Sequence, residues 1–450
     1  MAGPDEDPFG GVSEEETEGH ALPRLSRAGA AIRGLAIDVT PLRASRDYRL
    51  LWVGELISTT GRQISVVALP YQVFKLTGSS LAVGLIGLVQ VIPLIVFSIL
   101  GGAMADRVDR RKLILLTEMG LAVTSGLLVW GALITRPALW YLYSVTGLQA
   151  GILGVNTPSR SAAIPNLVPR DQLPAALALN QVMYNTTLIV GPAVGGLILA
   201  RLGIAWAYSI DVVTFLGSIT AAFLLRPLPP KRDSDRADAS TPWQAIREGF
   251  AYLRGRRVLI STFVVDLDAM IFGMPRAAFP FLAFKVFHVG AEGLGLLYAA
   301  PAVGALGGAL TAGWVGSIRH QGRAVIWAVA LWGAAITAFG LSGRWFGLGL
   351  FFLAFAGAAD VISAVFRGTI LQLSVPDELR GRLSAIHIMV VTGGPRLGDV
   401  ETGVVAALVT PTFSVVSGGL VCLVGVIVLA VLVPELRRYH AGDDTATPRD

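Results

Sequence analysis

The sequence is poor in charged residues and in cysteine. Only 15% of its 450 residues are Asp, Glu, Lys or Arg, against about 25% in soluble domains. So little charge would not cover the surface of the roughly two or three soluble domains that this length allows, which argues against a cytosolic enzyme or a disordered scaffold. The single cysteine, Cys422, excludes an internal disulfide framework and a cysteine-based metal site.

Motifs for ATP hydrolysis and for intramembrane hydrolysis are also missing. Neither Gly-x-x-x-x-Gly-Lys-Ser/Thr nor Gly-x-Gly-x-x-Gly occurs, and His-Glu-x-x-His and Gly-x-Ser-x-Gly are absent. His387 is the only histidine inside an apolar segment. We therefore expect no enzyme activity, no metal site and no cofactor. Because the first residues are acidic and Gly/Ser-rich, we also expect no secretory signal.

Apolar residues dominate instead, at 53% of the chain. A membrane-spanning helix needs about 20 mostly apolar residues, whereas barrel strands alternate apolar and polar positions over about ten residues. The apolar runs here are long and continuous, which predicts an all-α membrane protein with twelve spans. They are Leu50–Phe74, Ser80–Met104, Leu113–Ile134, Ala138–Pro158, Ala175–Ala200, Ile204–Leu225, Val258–Phe284, Gly293–Ile318, Ala324–Ser342, Trp345–Phe366, Leu383–Thr410 and Phe413–Val433.

Lys and Arg are concentrated in the loops on one side of the predicted membrane, which we call the basic side. It holds both termini, the loop after the second span and the long central loop, whereas the opposite side carries only Lys75, Arg136, Arg201, Lys285 and Arg344. Since cytoplasmic loops are rich in Lys and Arg, we expect both termini to be cytoplasmic in the cell (plasma or inner) membrane. The net charge of +5 then reflects topology, and we expect no nucleic-acid partner.

Polar segments and spans divide the chain into five parts. We expect a partly disordered cytoplasmic arm (1–48), a six-helix half (49–226), a linker with a basic amphipathic helix lying on anionic lipid (227–257), a second six-helix half (258–438) and a cytoplasmic tail (439–450).

The two halves share an internal repeat. Four matches occur in the same order with offsets of 203 to 210: Pro70–Lys75 with Pro280–Lys285, Leu100–Met104 with Leu306–Leu310, Arg160–Pro169 with Arg367–Pro376, and Gly191-Pro192 with Gly394-Pro395. An even number of spans per copy gives both halves the same orientation. Parallel pseudo-symmetric halves place a substrate site between them near the midplane, which indicates a solute transporter.

The loop after the second span carries a recognisable motif. Gly102-Ala103-Met104-Ala105-Asp106-Arg107-Val108-Asp109-Arg110-Arg111-Lys112 resembles the Gly-x-x-x-Asp-Arg-x-Gly-Arg-Arg-Lys motif of the major facilitator superfamily, with Asp109 where Gly is usual. The resemblance covers Tyr48–Tyr439. It implies that Asp106 closes a cytoplasmic gate with the basic residues, by accepting from a helix start or pairing with an arginine. The candidate gate residues are Gly102, Asp106, Arg107, Arg110, Arg111, Arg160 and Arg382. The basic cluster could instead only set topology.

The fifth span contains Gly191, Pro192, Gly195 and Gly196, which are similar to the motif of drug:proton antiporters. Together with Pro376–Arg382 and Pro434–Arg438, this most resembles the branch that includes the enterobactin exporter and macrolide-type efflux proteins. Physically, Pro removes a helix hydrogen bond and Gly allows close helix approach, so a packing role is expected and a part in coupling is open.

Charged side chains inside spans are costly and therefore become functional candidates. Those we select as a proton or substrate site are Glu55, Arg62, Asp266, Asp268, Arg276, Arg396, Asp399 and Glu401. Within this set, Glu55, Asp266 and Asp268 are the proton candidates, and the arginines could bind an anionic substrate. Arg396 and Asp399 are close enough in sequence to pair locally. Asp360 is a further central candidate, whereas Glu118 and Asp211 are expected to snorkel or cap near helix ends.

The function expected from these features is proton-coupled export of a siderophore, drug or similar small amphipathic molecule by alternating access. The proton gradient would supply the energy, and the protein would work in the lipid bilayer as a monomer. Import of a small metabolite stays open because motifs fix direction only loosely. A membrane-embedded enzyme or receptor is the alternative from another class.

Overall fold

The computed structural model describes residues 38–229, 242–311, 313 and 318–440. These residues are helical and contain no β-strand. Residues 1–37 of the arm, 230–241 of the linker and 441–450 of the tail lie outside the described residues, and the expectations for them remain predictions.

Six long helices form the first half. Ser45 and Ser79 begin the first two as N-caps, accepting from the backbone N–H groups of Tyr48 and Ala82, and Gly78 ends the first with a left-handed φ of 66°. The helices are α1 (Arg46–Thr77), α2 (Ser80–Arg107), α3 (Arg110–Leu133), α4 (Leu139–Leu167), α5 (Leu173–Arg201) and α6 (Ile204–Leu224).

Six further long helices form the second half: α7 (Arg257–Phe272), α8 (Gly290–Thr311), α9 (Gln321–Leu341), α10 (Phe346–Ser374), α11 (Asp377–Leu408) and α12 (Pro411–Leu432). Short helices lie at Thr40–Ala44, Pro242–Leu253 and Pro434–Arg438. The helix Pro242–Leu253 lies in the part of the linker whose sequence predicts an amphipathic helix.

Nine helices in the described part of the chain are long and apolar enough to span a membrane, the seventh being counted over Arg257–Val286. The three long helices outside this set are α1, α4 and α11. Each carries charged residues within its length, among them Glu55, Arg160 and Arg396.

The sequence predicts one continuous helix for the seventh span, and the structure shows a broken one. α7 ends at Phe272, and the chain continues through a 3₁₀ turn at Arg276–Ala278 and a π-helical turn at Leu282–Val286. Pro275 and Pro280 lack the N–H groups that a continuous helix would use. Trp332 Nε1 of α9 donates to the Gly273 carbonyl at 2.9 Å, which satisfies one carbonyl at the break.

The two halves meet on the side opposite the basic loops. The first part of α2 packs against α11, where Gly403 lies against Leu81 and Gly84. α5 packs against α8, where a Cβ on Gly196 would lie 2.9 Å from the Gly295 Cα. Such close helix approach requires glycine because any larger residue would collide with the neighbouring backbone.

Aromatic rings and one ion pair extend this contact. Tyr71 stacks on Phe284 with ring centroids 5.3 Å apart, and Phe74 meets Phe281 edge-on. Between side chains that the structure describes, Arg201 and Glu292, 3.3 Å apart, form the one ion pair that joins the halves.

On the basic side, the end of α2 contacts its own half and the start of α11 contacts the linker helix. Gly101 of α2 lies against Gly154 and Val155 of α4. Arg382 of α11 pairs with Glu248 of the linker helix at 3.0 Å. We therefore interpret this structure as the conformation closed on the opposite side.

Candidate functional site

An arginine is buried in the interior of the first half. Arg160 of α4 donates from Nη2 to Glu118 Oε1 at 2.7 Å and to Ser218 Oγ at 2.8 Å, and from Nε to Asn156 Oδ1 at 3.2 Å. Its Nη1 lies 3.7 Å from Glu55 Oε2. Three helices thus supply one cation and two carboxylates, and α6 adds the Ser218 hydroxyl; we call this group the Arg160 cluster.

The second half contains a matching group, the Arg367 cluster. Arg367 of α10 lies 2.8 Å from Asp266 of α7 and 3.6 Å from Asp360 of its own helix, and its Nη1 donates to Ser363 Oγ at 2.6 Å. His387 of α11 places Nδ1 3.9 Å from Asp266 Oδ2. The buried pair Arg367–Asp266 is the centre of this cluster.

Arg160 and Arg367 are equivalent in the sequence repeat, at an offset of 207. Glu55 of α1 and Asp266 of α7 also lie on helices that the repeat pairs, at an offset of 211, whereas Glu118 of α3 and Asp360 of α10 do not. The repeat therefore accounts for the arginines and for one acid of each cluster, and the second acid comes from a different position in each half.

The predicted pairing of Asp106 with Arg160 or Arg382 is wrong for this structure. Asp106 and Arg107 are exposed, and Asp106 has no ion-pair partner among the described residues. Arg160 is held inside its own half, and Arg382 binds Glu248 of the linker helix. For Arg382, the physical reason is that the two halves meet on the opposite side here, so this residue of the second half is not brought to Asp106. Arg160 is in the same half as Asp106, but its guanidinium is bound in the interior by Glu118 and Ser218.

Asp109 and Arg111 of the same motif connect α3 to the end of α6 by hydrogen bonds. Asp109 Oδ1 accepts from the N–H groups of Arg111 at 2.9 Å and of Leu228 at 3.1 Å. Arg111 donates to the carbonyls of Ala222 and Phe223, which lie in the last turn of α6; the Ala222 carbonyl also accepts from the Leu225 N–H at 3.3 Å. Gly102 has no neighbouring atom close to its Cβ position, and Arg110 is buried.

Asp266 and Asp268 do not form one site. Two positions apart on a helix, they point to different neighbours. Asp266 faces Arg367, whereas Asp268 faces α12, where its carboxylate would collide with a Cβ on Gly425. The proton candidates Asp266 and Asp268 therefore lie in different surroundings.

Arg396 and Asp399 do not form the local pair that their spacing suggested. Asp399 Oδ1 lies 3.8 Å from Arg276 Nε in the break after α7, and Arg396 Nη1 donates to its own helix at the Thr392 carbonyl, 2.7 Å away. Glu401 is half-buried and its Oε2 has no hydrogen-bond partner among the described residues. The break in α7 brings Arg276 to Asp399, which no sequence spacing reveals.

Glu118 and Asp211 were expected near interfaces, and this is wrong. Glu118 is 1% exposed and Asp211 0%. Asp211 Oδ2 accepts from Ser65 of α1 and Ser125 of α3, both at 2.8 Å. Neighbouring helices cover both acids, so they tie helices together instead of reaching water.

Glu55 and Arg62, which are seven residues apart on α1, contact different groups. Glu55 faces Arg160, whereas Arg62 donates to Thr59 Oγ1 at 3.0 Å.

In α5, Gly191 and Gly195 lie against Gln63 and Ile64 of α1, whereas Gly196 faces α8 and the Pro192 carbonyl approaches Gly295. The motif thus lies between the two halves.

Arg367, His387, Glu118 and Asp360 are the cluster members that sequence reasoning missed or left outside the selected site. The repeat with Arg160 marks Arg367, and for the other three the only sequence signal is an ionisable group within a span. Which arginine each one meets depends on how separate helices pack. Glu118, for example, reaches Arg160 across 42 residues of sequence.

Two parallel six-helix halves, each with a buried arginine cluster, define a major facilitator transporter that crosses the membrane several times. The chain belongs to the transmembrane secretion effector family, whose model matches residues 37–448. Enterobactin exporter EntS of Shigella boydii serotype 18 is 28% identical over 416 residues, covering 92% of this chain and 98% of that protein. EntS of Escherichia coli O1:K1 matches to the same extent. The resemblance to this exporter branch is confirmed.

Solved structures share the fold. A mutant of the nucleoside transporter NupG superposes with a TM-score of 0.70 at 14% identity, covering 87% of this chain and 100% of that one. A bacterial homologue of the human lysosomal transporter Spinster, inward-facing and unoccupied, gives 0.65 at 15% identity, with 87% and 95% covered. A POT family transporter in complex with 5-aminolevulinic acid gives 0.68 at 11%, with 87% and 97% covered.

Proposed function

We propose that the protein exports a siderophore-like small amphipathic molecule from the cytoplasm in exchange for protons. The observation that carries this proposal is the position of ionisable groups: each half holds a buried arginine with one carboxylate that is partly exposed, Glu55 or Asp360. Charged side chains inside membrane-spanning helices are costly, and those that are present are therefore candidates for a transport step. The relation to the enterobactin exporters over nearly their whole length supports the substrate class.

Alternating access follows from the way the halves meet. Glycine contacts and the Arg201–Glu292 pair close the opposite side, and breaking them while bringing the basic-side ends together would expose the interior to the other face. With the basic side cytoplasmic, substrate enters from the cytoplasm in this conformation. Asp106 and its basic neighbours would then close the cytoplasmic side in the alternate conformation.

The same proposal covers the remaining properties. The chain lies in the cell (inner) membrane with both termini in the cytoplasm, works as a monomer, performs no catalysis and needs no cofactor besides the proton gradient. The structural support is the fold itself, since one chain supplies both halves around the central interior.

Transport into inverted vesicles tests this function. Vesicles with the basic side outward would be given enterobactin, other siderophores and amphipathic antibiotics, with and without a protonophore. We expect gradient-dependent accumulation of at least one compound and its loss with the protonophore. Vesicles without the protein control for leakage, and the exposed-acid variant Asp171→Asn should transport normally. Accumulation only in right-side-out vesicles would establish import instead, and none in either orientation would refute the proposal.

A further inference from the structure

Each arginine cluster contains one carboxylate more than it has arginines. Arg160 faces Glu118 and Glu55, and Arg367 faces Asp266 and Asp360. With both acids ionised, each cluster carries a net charge of −1. A buried unbalanced charge is unfavourable in the low dielectric of the membrane interior, so one bound proton per cluster would bring its charge to zero.

The two carboxylates within a cluster differ in how firmly they are held. Glu118 and Asp266 are each 1% exposed and lie 2.7 and 2.8 Å from their arginines. Glu55 and Asp360 lie 3.7 and 3.6 Å away, beyond hydrogen-bonding distance, and their side chains are 24% and 28% exposed. Protonating the second pair breaks no short contact, and part of each of these side chains is accessible.

We propose that Glu55 and Asp360 are two proton-binding sites, one in each half. This inference rests on the proposed proton coupling and deepens it, because it replaces the earlier candidates Asp266 and Asp268 with Asp360 and gives the transporter two proton sites. Each site takes up one proton on a carboxylate oxygen, and the neutral carboxyl group is then released from its arginine. The proton is given up again in the alternate conformation.

The surroundings of Glu55 leave few competing groups. Arg160 of α4 and Glu118 of α3 face it, and Tyr48 lies two turns earlier on its own helix. Asp211, the acid of α6, is bound to Ser65 and Ser125 instead.

Asp360 faces Arg367 of its own helix and, through that arginine, Asp266 of α7 and His387 of α11. The other acid of α7, Asp268, is turned toward α12. His387 is the one alternative proton acceptor in this cluster. It lies on the far side of Asp266, so the two possibilities are separable by substitution.

Infrared difference spectroscopy of the purified protein, between mildly alkaline and mildly acidic pH, tests the sites without any transported substrate. We expect several protonated-carboxyl signals in the wild type, because Asp211, Asp268 and Glu401 are further interior carboxyls without an arginine partner among the described residues, and two of these signals should belong to Glu55 and Asp360. Glu55→Gln should lose one, Asp360→Asn the other, and the double variant both. Asp171→Asn, which removes an exposed acid on the basic side, should keep both. Asp360→Glu should keep the second signal at a shifted frequency, which identifies the signal even if Asp360→Asn fails to fold.

Two results would overturn the inference: an Asp360→Asn spectrum that superposes on the wild type while its helical circular dichroism is intact, or loss of the second signal in His387→Gln in place of Asp360→Asn. The proposed function fails differently. If the protonophore does not change transport into vesicles while both carboxyl signals are present, the two sites bind protons but do not couple them to transport. That result refutes the proposed proton coupling and leaves the proton-binding sites in place.

Discussion

Asp109 binds the backbone N–H of Leu228 at 3.1 Å, 119 residues further along the chain. The same oxygen accepts from the Arg111 N–H and so caps α3. Glycine is usual at this motif position in the superfamily that the chain resembles, and the substitution looks in the sequence like a loss of turn flexibility. In the structure it joins the start of α3 to the segment that leaves α6, where Arg111 also binds.

Asp109→Gly is therefore expected to destabilise the protein even though it restores the usual motif residue. Replacing an N-cap Asp by Gly costs only roughly a few tenths of a kcal/mol, and loss of the bond to Leu228 adds about 1 kcal/mol. The measurement is thermal unfolding of the purified protein in detergent, followed by circular dichroism. Asp109→Asn retains an acceptor oxygen and should stay close to wild type. Equal melting temperatures for the Gly variant and the wild type would contradict the role of the cap.

The Arg160 cluster leads to a second prediction. Glu118→Gln leaves Arg160 buried without its short charge partner, and removing one member of a buried pair costs about 3–5 kcal/mol. Glu55→Gln should cost much less because Glu55 lies 3.7 Å away and is partly exposed. Denaturant unfolding of both variants compares them directly. A smaller loss for Glu118→Gln than for Glu55→Gln would show that the two acids are ranked wrongly.

The fold was predictable from the sequence to the extent that it depends on local pattern. Apolar length, basic loops and the repeat lead to long helices in two equivalent sets, and α2 and α6 begin at the predicted residues. The break in α7 was missed because Pro275 and Pro280 occur in an otherwise apolar run, and prolines inside α2, α4 and α5 do not break those helices.

The site was predictable only as a set of residue types. Sequence marks Glu55, Asp266 and Asp360 as costly inside a membrane, but pairing depends on which faces of distant helices meet. Spacing suggested local pairs such as Arg396 with Asp399, whereas Asp399 approaches Arg276 across the α7 break. Long-range packing therefore overrode sequence proximity at this point.

Close packing between α5 and α8 gives a third prediction. Gly196→Leu should force the halves apart on the opposite side, since even a Cβ there would lie 2.7 Å from the Ala291 carbonyl oxygen. The distance between spin labels at the exposed positions Arg136 and Arg344, measured by double electron–electron resonance, should then increase. Gly307→Leu lies on α8 where no atom is within 4 Å of a Cβ, and it should leave the distance unchanged. An unchanged distance in Gly196→Leu would mean that this contact does not hold the side closed.

Asp106 provides the last prediction, because it is exposed and has no ion-pair partner among the described residues in the conformation seen here. A residue that acts only in the alternate conformation should matter for transport and not for the stability of this one. Asp106→Asn is thus expected to reduce transport in inverted vesicles severalfold while membrane abundance and melting temperature stay near wild type. Asp171→Asn removes another exposed basic-side acid and should transport normally. If Asp106→Asn transports at the wild-type rate, Asp106 takes no part in closing the basic side, and the motif's remaining role is the attachment of α3 to α6 through Asp109 and Arg111.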